Sequence, residues 1–378
     1  MIQQVTLENL YNFKHEVVFD FTNSGNDGGL YYAYPHANVS NLSILYGKNN
    51  VGKSNFLRVL NEVKAFVLDN VCHLSAYIPS EVDRPSRFEI VMQVDDYEIY
   101  YGFILDLNEK RILDEYMESI DETGTSVLLF SRSEKIRHTS LQAYAFSDDV
   151  LYLHTLSKVD VCDVVGCALV QFDKIMSHSF AEKSDADLSE KLAYYKNETH
   201  YLEIINAILR AADLEIVEIN IADQNIDYVH RSGASFPYAL LSSGTKQLLL
   251  VVIEILDCMH VGGVGIYDEI ETGLHFDLVD LILNIIKVVI EKEPKVQFVI
   301  STHREALLDY DFISNENKAF MKLENDTITI DYLSNYHLNP DHLPSKRYQL
   351  NAFETNPNTA GLYEAIMAIL NGDIDASS

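Results

Sequence analysis

Eight residues of this chain, Gly47-Lys48-Asn49-Asn50-Val51-Gly52-Lys53-Ser54, follow G-x-x-x-x-G-K-[ST] in full. Each fixed position has a chemical task. Gly47 and Gly52 let backbone N–H groups turn into one concavity, and those groups, with the helix N-terminus behind them, cradle phosphate. Lys53 reaches the β- and γ-phosphates of a nucleoside triphosphate, and the Ser54 hydroxyl ligates Mg²⁺. Asn49, Asn50 and Asn55 complete the expected triphosphate-binding set.

Three further motifs follow in order. Gly265-Ile266-Tyr267-Asp268-Glu269 sets two acids at the end of an apolar strand, where open α/β sheets bind ligands. Asp268 is the expected metal ligand there, and Glu269 the group that positions and polarises an attacking water. Phe298-Val299-Ile300-Ser301-Thr302-His303 is a second apolar strand, and the His303 beyond it can sense a γ-phosphate. Leu241-Ser242-Ser243-Gly244-Thr245-Lys246-Gln247 opens a helix, so Ser243 and Gly244 offer an anion site at its N-terminus. That site makes sense if it caps the phosphate held by a second molecule; a Ser N-cap on an ordinary helix is the plainer reading and is compatible with it. Lys246 adds charge toward phosphate or is simply solvated.

These residues need elements to hold them. Ile2–Leu7 and His15–Phe21 read as strands, Asn23–Gly29 as a polar loop, and Leu42–Tyr46 as a short buried strand feeding the glycine loop. A helix then runs from Lys53 to about Val67 with Phe56, Leu57, Leu60, Val63 and Val67 on one face. From Arg87 to Phe130 the period becomes two, with turns at Asp95-Asp96 and Thr123-Gly124, which predicts antiparallel strands. Ser131–Ala212 is more polar and helical and carries no motif; it reads as an insertion between the two halves of the fold. Strands at Leu214–Ile221, Ile226–His230, Gly262–Tyr267 and Lys295–Ile300 follow. So do helices to about Met259 and over Phe276–Glu291, a strand pair at Ala319–Leu323 and Thr327–Tyr332, and a terminal helix near Gly361–Leu370. The expected fold is α/β, a mixed central sheet with an antiparallel β subdomain and a helical insertion. The expected divisions are 1–130, 131–212, 213–335 and a tail over 336–378.

The chain has 378 residues, 47% of them hydrophobic, enough for one large domain or two ordinary ones. Lys plus Arg is 28 against 57 Asp plus Glu, a formal charge of −29, which argues against direct nucleic-acid binding because phosphate contacts need Lys and Arg. Cys72, Cys162, Cys167 and Cys258 show no C-x-x-C spacing, so a zinc site is not expected, and buried reduced thiols of a cytosolic protein are. The opening residues lack a signal-peptide pattern and no apolar run is long enough to span a bilayer, so a soluble, cytoplasmic protein is expected.

The order of glycine loop, Leu-Ser-Ser-Gly-Thr-Lys, Tyr-Asp-Glu-Ile-Glu-Thr-Gly-Leu-His and Ser-Thr-His resembles the ABC-type ATPases of the RecF, SMC and OLD group. It is most similar to the standalone AAA-family ATPases of bacterial abortive-infection and phage-defence operons, and Arg347–Phe353 fits as well. The resemblance covers most of the chain except about Ser131–Ala212. It implies ATP and Mg²⁺ as ligands and a head-to-tail homodimer, or a higher homo-oligomer, with two composite sites. It assigns Lys53 and Ser54 to phosphates and metal, Asp268 as Walker B acid, Glu269 as catalytic base, and Ser243 and Gly244 as the signature acting in trans. Glu271–His275 becomes the D-loop and His303 the switch. Thr245 stands where the signature usually has a second Gly, Thr272-Gly273 interrupts the D-loop, and Gln93 and Gln142 compete for the Q-loop. The leading expectation is an ATPase sensor or scaffold for a separate effector, a nuclease or toxin. A RecF-like DNA-repair ATPase and a non-catalytic nucleotide gate are the alternatives. The tail lacks the Glu and Asp-x-Asp cluster that a nuclease of the TOPRIM kind needs. Ser131–Ala212 and the tail beyond Leu333 are the expected partner surfaces.

Overall fold

The computed structural model describes residues 1–77, 84–135, 147–159, 164–179, 185–195, 198–212, 214–222, 225–337 and 343–353. Gln142, Cys162 and the helix expected near Gly361–Leu370 lie outside them. The strands are β1 Ile2–Glu8, β2 Val17–Asp20, β3 Tyr31–Ala33, β4 Asn38–Ser40 and β5 Leu42–Gly47, before helix α1 Lys53–Asp69. Next come β6 Ser86–Val94, β7 Tyr97–Asp106, β8 Arg111–Ile120 and β9 Ser126–Ser131, then α2 Tyr152–Leu156, α3 Val164–Asp173, β10 Ile175–Ser179, α4 Asp185–Tyr194 and α5 Thr199–Ala211. The remainder is β11 Ile216–Ala222, β12 Asn225–His230, β13 Ser235–Pro237, α6 Ser243–Val261, β14 Val264–Asp268, α7 Phe276–Lys292, β15 Gln297–Ser301, β16 Lys318–Glu324, β17 Thr327–Tyr332 and α8 Pro344–Gln349.

Two six-stranded sheets organise these elements. One is antiparallel, in the order β2-β1-β6-β7-β8-β9. The other runs β10-β14-β15-β5-β16-β17 and is parallel from β10 to β16, with β17 closing it antiparallel. Strand β5 is buried at all six positions, as expected for a central strand covered on both faces. Its side chains still alternate. Leu45, with Ile266, Val299 and Met321 of neighbouring strands, faces α1 and the antiparallel sheet. Leu42, Ile44 and Tyr46, with Tyr267, Phe298, Ile300 and Phe320, face α6 and α7. The sheet is thus the middle layer between two cores, and the C-terminal ends of β5, β14 and β15 share one edge.

Three expectations change. Ser131–Ala212 is not purely helical, because β10 pairs in parallel with β14, His178 opposite Tyr267 and Ser179 opposite Asp268. Ile175–Ser179 is only five residues long and has no strong apolar period to mark it as an edge strand. Gln93 is not at the nucleotide edge. It is fully buried in β6, its carbonyl accepts from the Met1 amine at 2.7 Å, and its amide donates to Gln3. It lines a cleft with Gly262 and Lys295, which precede β14 and β15, so it lies toward the opposite ends of the parallel strands. Of the cysteines expected to be buried, Cys258 is buried but Cys72 is exposed, and among the described residues no helix is long and apolar enough to cross a membrane.

Candidate nucleotide site

The glycine loop joins β5 to α1, and its two fixed glycines are required by its shape. A Cβ on Gly47 would lie 2.6 Å from Val51 Cγ1 and 2.9 Å from the Met321 carbonyl. Gly52 sits at φ +113°, and a Cβ there would meet Asn12 Nδ2 at 2.5 Å. Asn12 is itself fixed by the Asn55 amide, which donates to its Oδ1 at 2.8 Å. Asn50 takes φ +63°, a left-handed turn that Asn tolerates, and Asn49 is exposed beside it. Ser54 is exposed on the first turn of α1.

Lys53 is 5% exposed, and its ammonium donates to the Gly47 and Lys48 carbonyls at 2.8 and 3.1 Å. Burial pulls its pKa down, against the opposing pull of Glu269, Asp268 and Glu271. Nζ also lies 3.2 Å from His303 Nε2, and that same nitrogen lies 3.5 Å from Glu269 Oε1. One imidazole nitrogen cannot accept from the ammonium and donate to the carboxylate together. His303 therefore stands between a cation and an anion, with one role at a time.

The acid pair is held from the next strand. Ser301 Oγ, at the end of β15, donates to Asp268 Oδ1 at 2.6 Å and accepts the Glu269 N–H at 2.8 Å. Glu269 takes φ +49°, a strained conformation for a non-glycine residue at the end of β14. Thr272 donates to its Oε2 at 3.3 Å. Glu271 turns the other way: its two oxygens accept the Thr302 hydroxyl at 2.8 Å and the His303 N–H at 2.6 Å.

Ser243 and Gly244 begin α6, but Ser242 is the cap: its Oγ accepts the Thr245 N–H at 3.1 Å. The expectation of Ser243 as a capping residue moves back by one, and the Ser243 hydroxyl is left exposed on the first turn. A Cβ on Gly244 would stand 3.4 Å from the Gly273 carbonyl, so the signature helix and the Glu271–His275 segment touch within one molecule. Lys246 lies over the Tyr238 ring at 5.6 Å. The structure thus gathers Gly47, Gly52, Lys53, Asp268, Glu269 and His303 at one edge and sets Ser243 and Gly244 beside Gly273. Sequence reasoning missed Asn12 and the bracing by Ser301 and Glu271. Asn12 carried no signal, and the other two lay inside quoted motifs without an assigned contact.

The residues fit a phosphate–magnesium group. The loop closes where any Cβ would collide, an amine is buried against carbonyl oxygens, and a hydroxyl and a carboxylate stand on adjoining elements. Among the described residues no group of three or more His, Cys, Asp or Glu could hold a metal alone. Mg²⁺ in such sites takes one or two protein ligands and completes its shell with phosphate and water oxygens. Ser54 and Asp268 are the residues here whose chemistry would suit that task.

Comparison with known proteins gives three findings. A family model described as "AAA domain, putative AbiEii toxin, Type IV TA system" matches residues 42–309. No individually curated protein matches the chain. Among solved structures, the chain is similar to the SMC head domain from Thermotoga maritima at 13% identity and a TM-score of 0.45, covering 88% of this chain and 98% of that one. It is similar also to an Smc head domain with an extended coiled coil, bound to the C-terminal domain of ScpA derived from Pyrococcus furiosus. There the identity is 12% and the TM-score 0.42, covering 88% and 96%.

Proposed function

The chain belongs to the AAA-domain family described as putative AbiEii toxin of a type IV TA system, and from that premise we propose that it binds ATP with Mg²⁺ between two copies, hydrolyses it, and thereby controls a separate effector in anti-phage defence. The observation that carries the reading is the line from Lys53 through His303 to Glu269, at 3.2 and 3.5 Å, which brings glycine loop, switch and acid pair together.

In this reading the N–H groups of the loop and Lys53 hold the β- and γ-phosphates. Ser54 and Asp268 hold Mg²⁺, which supplies neutralisation of developing phosphate charge. Glu269 orients and polarises the attacking water, His303 contacts the γ-phosphate, and Ser243 and Gly244 of the second copy cap it. Residues 131–212 and the chain beyond Leu333 are the proposed effector surfaces, and the cytoplasm is the proposed location. The divisions at 130, 212 and 335 are retained as proposed boundaries.

The test is size by light scattering for wild type and Glu269→Gln, each with and without ATP–Mg²⁺, after pull-down from cells carrying the native operon. A stable ATP-dependent dimer or larger species of Glu269→Gln, with a second protein co-eluting, is the expected result. Unchanged size and partner content with ATP would refute the two-copy site.

A further inference from the structure

On the far side of the signature helix lies a cleft of about 530 Å³, walled by α4, the start of α5 and the C-terminal end of α6. Its wall is aromatic. Tyr195 meets Tyr194 edge-on at 5.5 Å and Tyr201 at 5.5 Å, and Tyr201 meets His260 at 5.9 Å. Among the described residues its charged lining is Glu190, Glu198 and Asp257 with Lys191. Lys191 is occupied, 2.7 Å from Asp257 and 3.3 Å from Glu254, and the Tyr195 hydroxyl donates to Asp257. Glu190 and Glu198 are exposed at the rim.

Aromatic faces attract cations through the ring quadrupole, and carboxylates exposed at the rim add to that attraction while repelling phosphate- or carboxylate-bearing ligands. We propose that this cleft binds an organic cation, an ammonium or guanidinium group, and that its occupancy is felt at the nucleotide edge. The connection is built from contacts. Glu254 lies on the helix that Ser243 begins, fully buried, and its Oε2 is 2.5 Å from His178 Nδ1. His178 belongs to β10, and its ring stacks on Tyr267 at 5.3 Å. Tyr267 immediately precedes Asp268. A cation competing with Lys191 for Asp257 therefore changes the charge facing Glu254, two contacts from the Walker B strand. This coupling rests on the nucleotide reading; the binding does not.

The test is calorimetric titration of nucleotide-free full-length protein with two probes, N-acetyl-arginine amide for a side chain carried by a polypeptide and putrescine for a free amine. Saturable 1:1 binding is expected, at least tenfold weaker in Tyr201→Leu and in Glu198→Gln, and retained in Tyr201→Phe, which keeps the ring and shows that the site is folded. The tighter probe identifies the source. No saturable binding by either probe overturns the site. So does binding unaffected by Tyr201→Leu, since diffuse attraction to a chain of charge −29 needs no ring. For the coupling, the affinity for a non-hydrolysable ATP analogue should change at least threefold when the cleft is saturated. An unchanged affinity overturns the coupling and leaves the site, and a protein that binds no analogue overturns the nucleotide reading instead.

Discussion

Gly52→Ala isolates what the glycine loop requires of its backbone. At φ +113° an L side chain is strained, at a cost of about 1–3 kcal/mol. The new Cβ would also lie 2.5 Å from Asn12 Nδ2 and 2.8 Å from its Oδ1, so Asn12 must swing away. That movement breaks the 2.8 Å hydrogen bond from Asn55, worth ~0.5–1.5 kcal/mol. The expected loss of stability is therefore about 1.5–4.5 kcal/mol. Gly28→Ala is the matched control: φ is +71° but nothing lies within 4 Å, so only the backbone cost remains. Asn12→Ala relieves the collision, so its effect and that of Gly52→Ala should be less than additive by about 1 kcal/mol. Urea unfolding with and without ATP–Mg²⁺ measures both stability and affinity. A ligand at 100 times its Kd adds about 2.7 kcal/mol, and each tenfold loss of affinity removes about 1.4 kcal/mol of that. Gly52→Ala should lose at least one such step and Gly28→Ala none. Equal stability of the two variants, or an ATP increment unchanged in Gly52→Ala, would refute the reasoning.

Three other perturbations follow from packing and charge. Phe353 is fully buried, stacked on Phe320 at 4.5 Å and edge-on to Tyr336 at 4.9 Å, so Phe353→Ala should cost about 3–5 kcal/mol in urea unfolding. Arg132 lies 3.2 Å from the fully buried Glu115 and over the Tyr152 ring at 4.0 Å; Arg132→Met leaves that carboxylate only the Tyr101 hydroxyl and the Tyr152 and Leu153 N–H groups, with no cation, and should cost about 3 kcal/mol by the same assay. Burial lowers the Lys318 amine to about 8, although it donates to the Leu308 and Tyr310 carbonyls and to Asn315. The unfolded chain keeps that proton up to ~10.4, so between these values it binds more protons than the folded one. Stability from this group then rises with pH over that window, by at most about 3 kcal/mol. The stability difference between wild type and Lys318→Met should shift toward wild type from pH 7.5 to pH 9.5; an identical difference at both would count against it.

What the sequence made legible was local. The glycine loop is contiguous, and G, G, K and S have one main use at that spacing, so Gly47–Ser54 could be read outright. The buried strands at Leu42–Gly47, Val264–Asp268 and Gln297–Ser301 are short apolar runs ending at the motif residues, and their identity followed. Strand β10 was missed because its place in the sheet depends on β14, 85 and more residues away, and Ile175–Ser179 has no strong period of its own. Gln93 was a candidate for the site because its residue type suited the task. Its position is set instead by the register of β6 on β1 and β7, which no single segment declares. Asn12 touches Gly52 only because α1 returns over the loop after β1. Ser301 and Glu271 were visible as letters, but hydrogen bonds between strand ends belong to the assembled sheet.

Those braces decide how the site can respond. Ser301 ties Asp268 to Glu269, and Glu271 ties Thr302 to the His303 backbone, so acid pair and switch strand form one hydrogen-bonded unit. The following turn is fixed as well: Tyr46, which precedes Gly47, donates to the Arg304 carbonyl at 3.2 Å, and Asp309 accepts the Ser345 N–H at 2.9 Å. Lys53 meets this unit through the His303 imidazole, half-exposed and bonded at Nε2 to one neighbour at a time. A phosphate drawing Lys53 toward itself would compete with its bonds to the Gly47 and Lys48 carbonyls and with the 3.2 Å approach to His303, and would free that imidazole nitrogen for another partner. The backbone N–H of His303 stays on Glu271 while its ring turns. Rotation of one imidazole on a braced strand costs far less than moving the strand, so under the proposed function the ring would be the element on which entry of a triphosphate acts first.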